Sequence, residues 1–180
     1  MRVLILALTL LCAAGCGTSE EAAAAKDRET SKATWALVLK VDGADVRIPL
    51  TAMNVLLFKD EEYAKQNPSV FQIEGSGVQL LGEIAAADNV DYGEHWERLI
   101  NKTLTITASG EFHRDSVDSK IALPGRPEVA VTAGTMFVEK YTGKWSGSEG
   151  NKTLSGKITL RLSDGRTLDG KFAVHAVTWG

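Results

Sequence analysis

Trp35-Ala-Leu-Val-Leu-Lys-Val41, Asp42-Gly43, Ala44-Asp-Val-Arg-Ile-Pro-Leu50 is the stretch from which the fold of this chain can be read. Two strand-like runs flank Asp-Gly, the signature of a type I′ hairpin, because both central positions of that turn need φ > 0. A two-residue loop fixes the register. Leu39 then faces Val46, Leu37 faces Ile48 and Trp35 faces Leu50, while Lys40 meets Asp45 on the other side. This register collects the apolar residues on one face, and a slip of one residue would mix the faces. Pro49 has no N–H to donate, so its end of the second run is expected at a sheet edge or strand terminus.

The same punctuation recurs downstream. Residues 70–74 and 78–83 flank Gly75-Ser76-Gly77, a second hairpin with a glycine-rich turn. Residues 121–123 and 128–132 flank Pro124-Gly125-Arg126-Pro127, where Pro-Gly suggests a type II turn. In the last hairpin, 154–162 and 168–179 around Asp164-Gly165, a strict two-residue loop would mix faces. A longer, bulged loop instead pairs Leu162 with Leu168, Ile158 with Phe172 and Leu154 with Ala176, and sets His175 opposite Ser155 on the polar face. Residues 53–58 and 136–145 are further strands, the second with Phe137, Tyr141 and Trp145 spaced for one face. Residues 102–112 read as one long strand, with Leu104, Ile106, Ala108, Gly110 and Phe112 towards the core and threonines on the wet side. Two short helices are expected, one at 60–66 ended by Asn67-Pro68 and one within 88–101 carrying Trp96, Leu99 and Ile100 at helical spacing.

Turn signals about every 8–12 residues point to an all-β fold. The leading expectation is an antiparallel β-sandwich with one or two short helices. The alternative is a small closed β-barrel, favoured by the rhythm of Ser109-Gly-Glu-Phe112, Thr142-Gly-Lys-Trp145, Ser155-Gly-Lys-Ile158 and Asp169-Gly-Lys-Phe172. Glycines so placed mark bends or close backbone approach in β proteins.

Ahead of this β-rich region stands a different kind of sequence. Arg2 is a minimal positive n-region, residues 3–14 are apolar, and Ala13-Ala14-Gly15 precede Cys16. This is a secretory pattern, too short for the roughly 20 residues of a permanent membrane span. Ala13-Ala14-Gly15-Cys16 resembles the lipobox of bacterial lipoproteins, a resemblance confined to residues 1–16. It implies cleavage before Cys16, a diacylglyceryl thioether on that cysteine and an acyl chain on its freed amine. Two or three chains hold a protein stably on a membrane where one is marginal. Gly17, where Asp would signal inner-membrane retention in enterobacteria, leans toward the outer membrane. The expected organisation is therefore a cleaved signal peptide at 1–15, the lipidated cysteine and a flexible tether at 16–32, and a single β-rich domain at 33–180.

Loss of the leader removes Cys12, and lipid on Cys16 leaves the domain without cysteine, so no disulfide can brace it. With 20 basic and 23 acidic side chains the chain stands at −3, and loss of Arg2 takes it to −4. The signs are interspersed along the chain, which disfavours nucleic acid and marks no basic patch for anionic lipid. The densest polar cluster, Asp88, Asp91, Glu94 and His95, is the candidate metal site, since carboxylates and a histidine suit hard or borderline cations. It matches neither the EF-hand nor the His-Glu-x-x-His spacing, and a solvated face is the competing reading. His113 beside Arg114 and Asp115 reads as a surface turn, and no serine sits in Gly-x-Ser-x-Gly. No cofactor motif is present. The reading is a membrane-anchored, non-enzymatic binding or structural module with an unidentified protein or ligand partner. The alternatives are an apolar-ligand carrier with a hollow barrel and a metal-dependent envelope enzyme using His95, His113 or His175.

Overall fold

In the computed structural model, which describes residues 35–56, 62, 66–88, 96–143 and 152–179, β1 (Ala36–Val41) and β2 (Ala44–Leu56) form the expected hairpin. Leu39 pairs with Val46 and Leu37 with Ile48. Asp42 and Gly43 both have positive φ, and Lys40 Nζ lies 2.7 Å from Asp45 Oδ1. The strand does not stop at Pro49, however. It bulges between Leu50 and Ala52 and runs on to Leu56, absorbing the separate strand expected from residue 53. Pro49 is tolerated mid-strand because its carbonyl accepts from Ser76 N–H, in the turn where β3 ends. The missing N–H points to that same side, where β3 no longer needs a donor.

β3 (Ser69–Gly75) and β4 (Val78–Ile84) make the second hairpin in the register set by Ser76-Gly77. The chain then passes a 3₁₀ turn at Ala86–Asp88 and another at Trp96–Leu99, which buries Trp96 and Leu99. The helix expected near 60–66 falls almost wholly outside the described residues.

The strand expected at 102–112 breaks at Ala108. β5 (Thr103–Thr107) lies in the sheet between β4 and β9 (Glu128–Thr142). β6 (Ser109–Phe112) leaves it and pairs only with β7 (Asp115–Asp118), and β8 (Lys120–Ala122) then resumes the place between β4 and β9. One position in the wall is thus filled in relay by β5 and β8, with the β6–β7 arm as an excursion. Leu104 and Ile106 join the main core, whereas Phe112 packs with Val117 and Leu81 in a separate cluster over Leu56 and Val70. The single apolar face expected for 104–112 is therefore split between two cores.

β9 is one continuous strand of 15 residues, where two were expected. A register shift opposite Ser155 and Gly156 separates the sides of Phe137 and Tyr141, so Phe137 is 37 % exposed while Tyr141 packs on the core. Trp145 lies outside the described residues. β10 (Thr153–Leu162) and β11 (Thr167–Trp179) form the last hairpin. Its loop is Ser163-Asp164-Gly165, with Leu160 opposite Leu168 and His175 opposite Thr153. The expected register was two residues too long: Gly165 (φ 88°) closes a three-residue loop, and the faces survive because the slip is even.

β10 pairs with β9 as well as β11, so the order β10-β11-β1-β2-β3-β4-β5-β9 returns to its start and eight strands close a barrel. This corrects the sandwich to its alternative. Both architectures share the same hairpin spacing, and closure turns on how tightly the long strands coil. Gly156 and Gly170 show why they coil here. A Cβ on Gly156 would stand 1.9 Å from Phe137 O, and one on Gly170 would stand 2.2 Å from Val38 O. Only glycine lets the neighbouring backbone come that close. Beyond the start of β1, β11 also runs parallel to β2 along Met53–Leu56. The interior is one continuous cluster of buried apolar side chains, Phe71, Phe172, Met53, Leu37, Trp96 and Leu104 among the largest.

Candidate functional site

A polar groove lies on the outside of the barrel, where the β2 bulge meets the β3–β4 turn and the β8–β9 hairpin. The bulge adds Thr51 to β2 beside Gly75, as two residues come to oppose one. Glu74 pairs with Gln79 across β3 and β4, and Gln79 with Lys120 across β4 and β8. With Glu128 these side chains line a groove of about 390 Å³ with Gly75 and Gly77 at its floor. Lys120 Nζ lies 3.3 Å from Glu128 Oε1. Glu74 accepts from Gln72 Nε2 at 3.1 Å and from Asn54 Nδ2 at 3.5 Å. The lining offers hydrogen-bond donors and acceptors from Thr51, Glu74, Gln79, Lys120 and Glu128, with no histidine, cysteine or serine among its residues. It suits a small polar molecule. The sequence flagged only Gly75-Ser76-Gly77 here, as a turn, because β2, the β3–β4 hairpin and the β8–β9 hairpin that build the groove are far apart in the chain.

A second polar constellation sits where the chain enters the barrel. Trp35 stacks on His175, ring centroids 4.6 Å apart and planes 14° from parallel. Trp35 Nε1 donates to Thr153 Oγ1 at 3.2 Å. His175 Nδ1 lies 3.0 Å from the Lys152 carbonyl, which also accepts from Ala176 N–H. A carbonyl only accepts, so Nδ1 carries the proton. Burial lowers the His175 pKa, the bond to the Lys152 carbonyl opposes that, and the Lys152 charge adds to the lowering. The ring is therefore neutral near pH 7 and serves as packing for Trp35.

Of the metal candidates, Asp88 ends the first 3₁₀ turn with its carboxylate 2.5 Å from Lys102 Nζ. Asp91, Glu94 and His95 lie outside the described residues, as does Cys16. Among the described residues no three His, Cys, Asp or Glu side chains are gathered to hold a metal ion. His113 occupies the tip of the β6–β7 arm, edge-on to Phe112, on a different wall from His175. At one barrel mouth Arg126 pairs with Asp42, tying two turns together, and Arg166 binds Asp164 through Nε (2.8 Å) and Nη2 (2.6 Å). Those bonds lower the Asp164 pKa.

Fold and groove together define a small, closed, all-β barrel with a side arm and a polar outer groove. Comparison with known protein families, curated proteins and solved structures returns no match.

Proposed function

We propose that the chain is a lipid-anchored protein of the bacterial envelope whose barrel acts as a non-enzymatic binding or structural module. The observation that carries the reading is the leader ending in Ala13-Ala14-Gly15-Cys16, directly upstream of a barrel whose core is built without cysteine. The continuous apolar cluster inside the barrel favours it over an apolar-ligand carrier, which needs a cavity of several hundred Å³. The separation of His113 from His175 favours it over an envelope enzyme that pairs those two histidines. The acyl chains on Cys16 hold the protein on the outer membrane facing the periplasm, and the Glu74, Gln79 and Lys120 groove is where a polar partner group binds. Mass spectrometry of the mature N-terminus is the test. A mature chain beginning at Cys16 and carrying diacylglycerol is expected, and an unmodified or internal Cys16 would overturn the anchor. Hydrolysis of a generic ester, glycoside or phosphate, abolished by one groove substitution, would overturn the non-enzymatic part.

A further inference from the structure

The barrel gathers onto one wall basic side chains that the sequence scatters. One row of cross-strand neighbours runs Phe137, Lys157, Lys171 through β9, β10 and β11, and the next runs Lys140, Ser155, Ala173. Lys157 and Lys171 stand directly opposite each other, an arrangement that costs stability between like charges. The acids on this face are Glu139, 3.0 Å from Lys157, and Asp169, in the adjacent row, which accepts from Thr159 Oγ1 at 2.6 Å. Phe137, in the same row, is the one large apolar side chain exposed among the described residues. The wall has a fixed relation to the chain's N-terminal side, because Trp35 stacks on His175 of β11 and bonds Thr153 of β10. The sequence before Trp35 thus joins the barrel at the end of this wall.

We propose that the β9–β10–β11 wall lies against the anionic phospholipid headgroups of the membrane that holds the lipid anchor, a proposal that rests on the anchor reading. Lys140, Lys157 and Lys171 meet the phosphates, while Phe137 enters the interfacial layer, where aromatic rings are favoured. The anionic surface also relieves the Lys157/Lys171 juxtaposition. On a chain with net negative charge, an anionic surface is approached more favourably through a wall carrying Lys140, Lys157 and Lys171 than through its acidic parts.

The test uses the full chain, produced with its leader in a bacterial host and reconstituted into vesicles of phosphatidylcholine alone or with phosphatidylglycerol. Flotation reports the anchor, and acylation of individual lysines, read by mass spectrometry, reports the wall. Flotation with both vesicle types is expected, with Lys140, Lys157 and Lys171 modified roughly fivefold more slowly on the anionic vesicles. Lys120, on the β8 side, keeps its rate, and about 0.5 M salt abolishes the difference. Lys157→Glu with Lys171→Glu removes the protection of Lys140 while leaving the circular dichroism spectrum unchanged. Equal rates on both vesicle types, or equal protection of Lys120, overturn the proposal and leave the anchor standing. Failure to float with neutral vesicles overturns the anchor itself.

Discussion

The barrel completes its wall in two ways. On the β9–β10–β11 side three strands of 15, 10 and 13 residues run the height of the barrel, and side chains alternate between core and solvent. Next to β9, on the side away from β10, one position is shared by β5 and β8, and Ser119 makes the join. Ser119 Oγ accepts from Leu81 N–H at 2.8 Å and donates to Thr107 O at 2.6 Å. Its backbone N–H donates to Ala108 O, and its carbonyl accepts from Val131 N–H. A continuous strand satisfies its backbone by repetition alone. A relayed strand leaves a gap in the ladder that a particular side chain must fill. The excursion also needs its own small core and a tight turn at its tip.

Core substitutions should separate the two sides most. Phe172→Ala, in the main core, is expected to cost about 4 kcal/mol in urea unfolding, and Phe112→Ala in the arm cluster about half that. Equal losses would mean that the arm is as integral to the barrel as its walls. The join itself comes next. Ser119→Ala strips Leu81 N–H of its acceptor in a buried place and should cost about 2 kcal/mol, with faster hydrogen exchange at Leu81. Ser155→Ala on the continuous side should stay within about 0.5 kcal/mol. If Ser119→Ala were as mild, water or a shifted backbone would be filling the gap instead.

The tight hairpins were largely legible from residues alone, for a physical reason. Type I′ and glycine-containing turns fix registers locally, so Lys40 opposite Asp45 and Glu74 opposite Gln79 follow from neighbouring sequence. Even the wrong register of the last hairpin kept Leu160, Phe172 and Val174 on the correct face, because the error was even. The relay was not legible. Alternation persists unbroken from Leu104 to Phe112, and nothing local reveals that Phe112 serves a different core from Ile106. Closure and the groove were hidden for the same reason, since both depend on pairings between strands distant in sequence. The lysine wall was missed because charge read along the chain ignores which strands become neighbours.

The arm's tip makes a prediction of opposite sign. His113 and Arg114 have φ of 52° and 72°, so a two-residue turn is built from side chains that disfavour the left-handed region. Replacing them with Asn and Gly should stabilise the protein by about 1 kcal/mol. No gain would show that the interactions of His113 outweigh the strain.

The smallest expected effect lies back on the continuous side, at His175. Its folded pKa is below the ordinary 6.5, chiefly because the ring is half buried against Trp35. Between the folded value and about 6.5 the unfolded chain binds the proton more readily. Stability is therefore undiminished above about pH 6.5 and falls as pH drops through that window. His175→Asn keeps a donor for the Lys152 carbonyl and removes the titration, so its stability should lose this slope between neutral and mildly acidic pH. A slope unchanged by the substitution would assign the acid sensitivity to the carboxylates instead. In that case the Trp35 stack would be indifferent to protonation, and the end of the lysine wall would hold its shape at any pH the barrel survives.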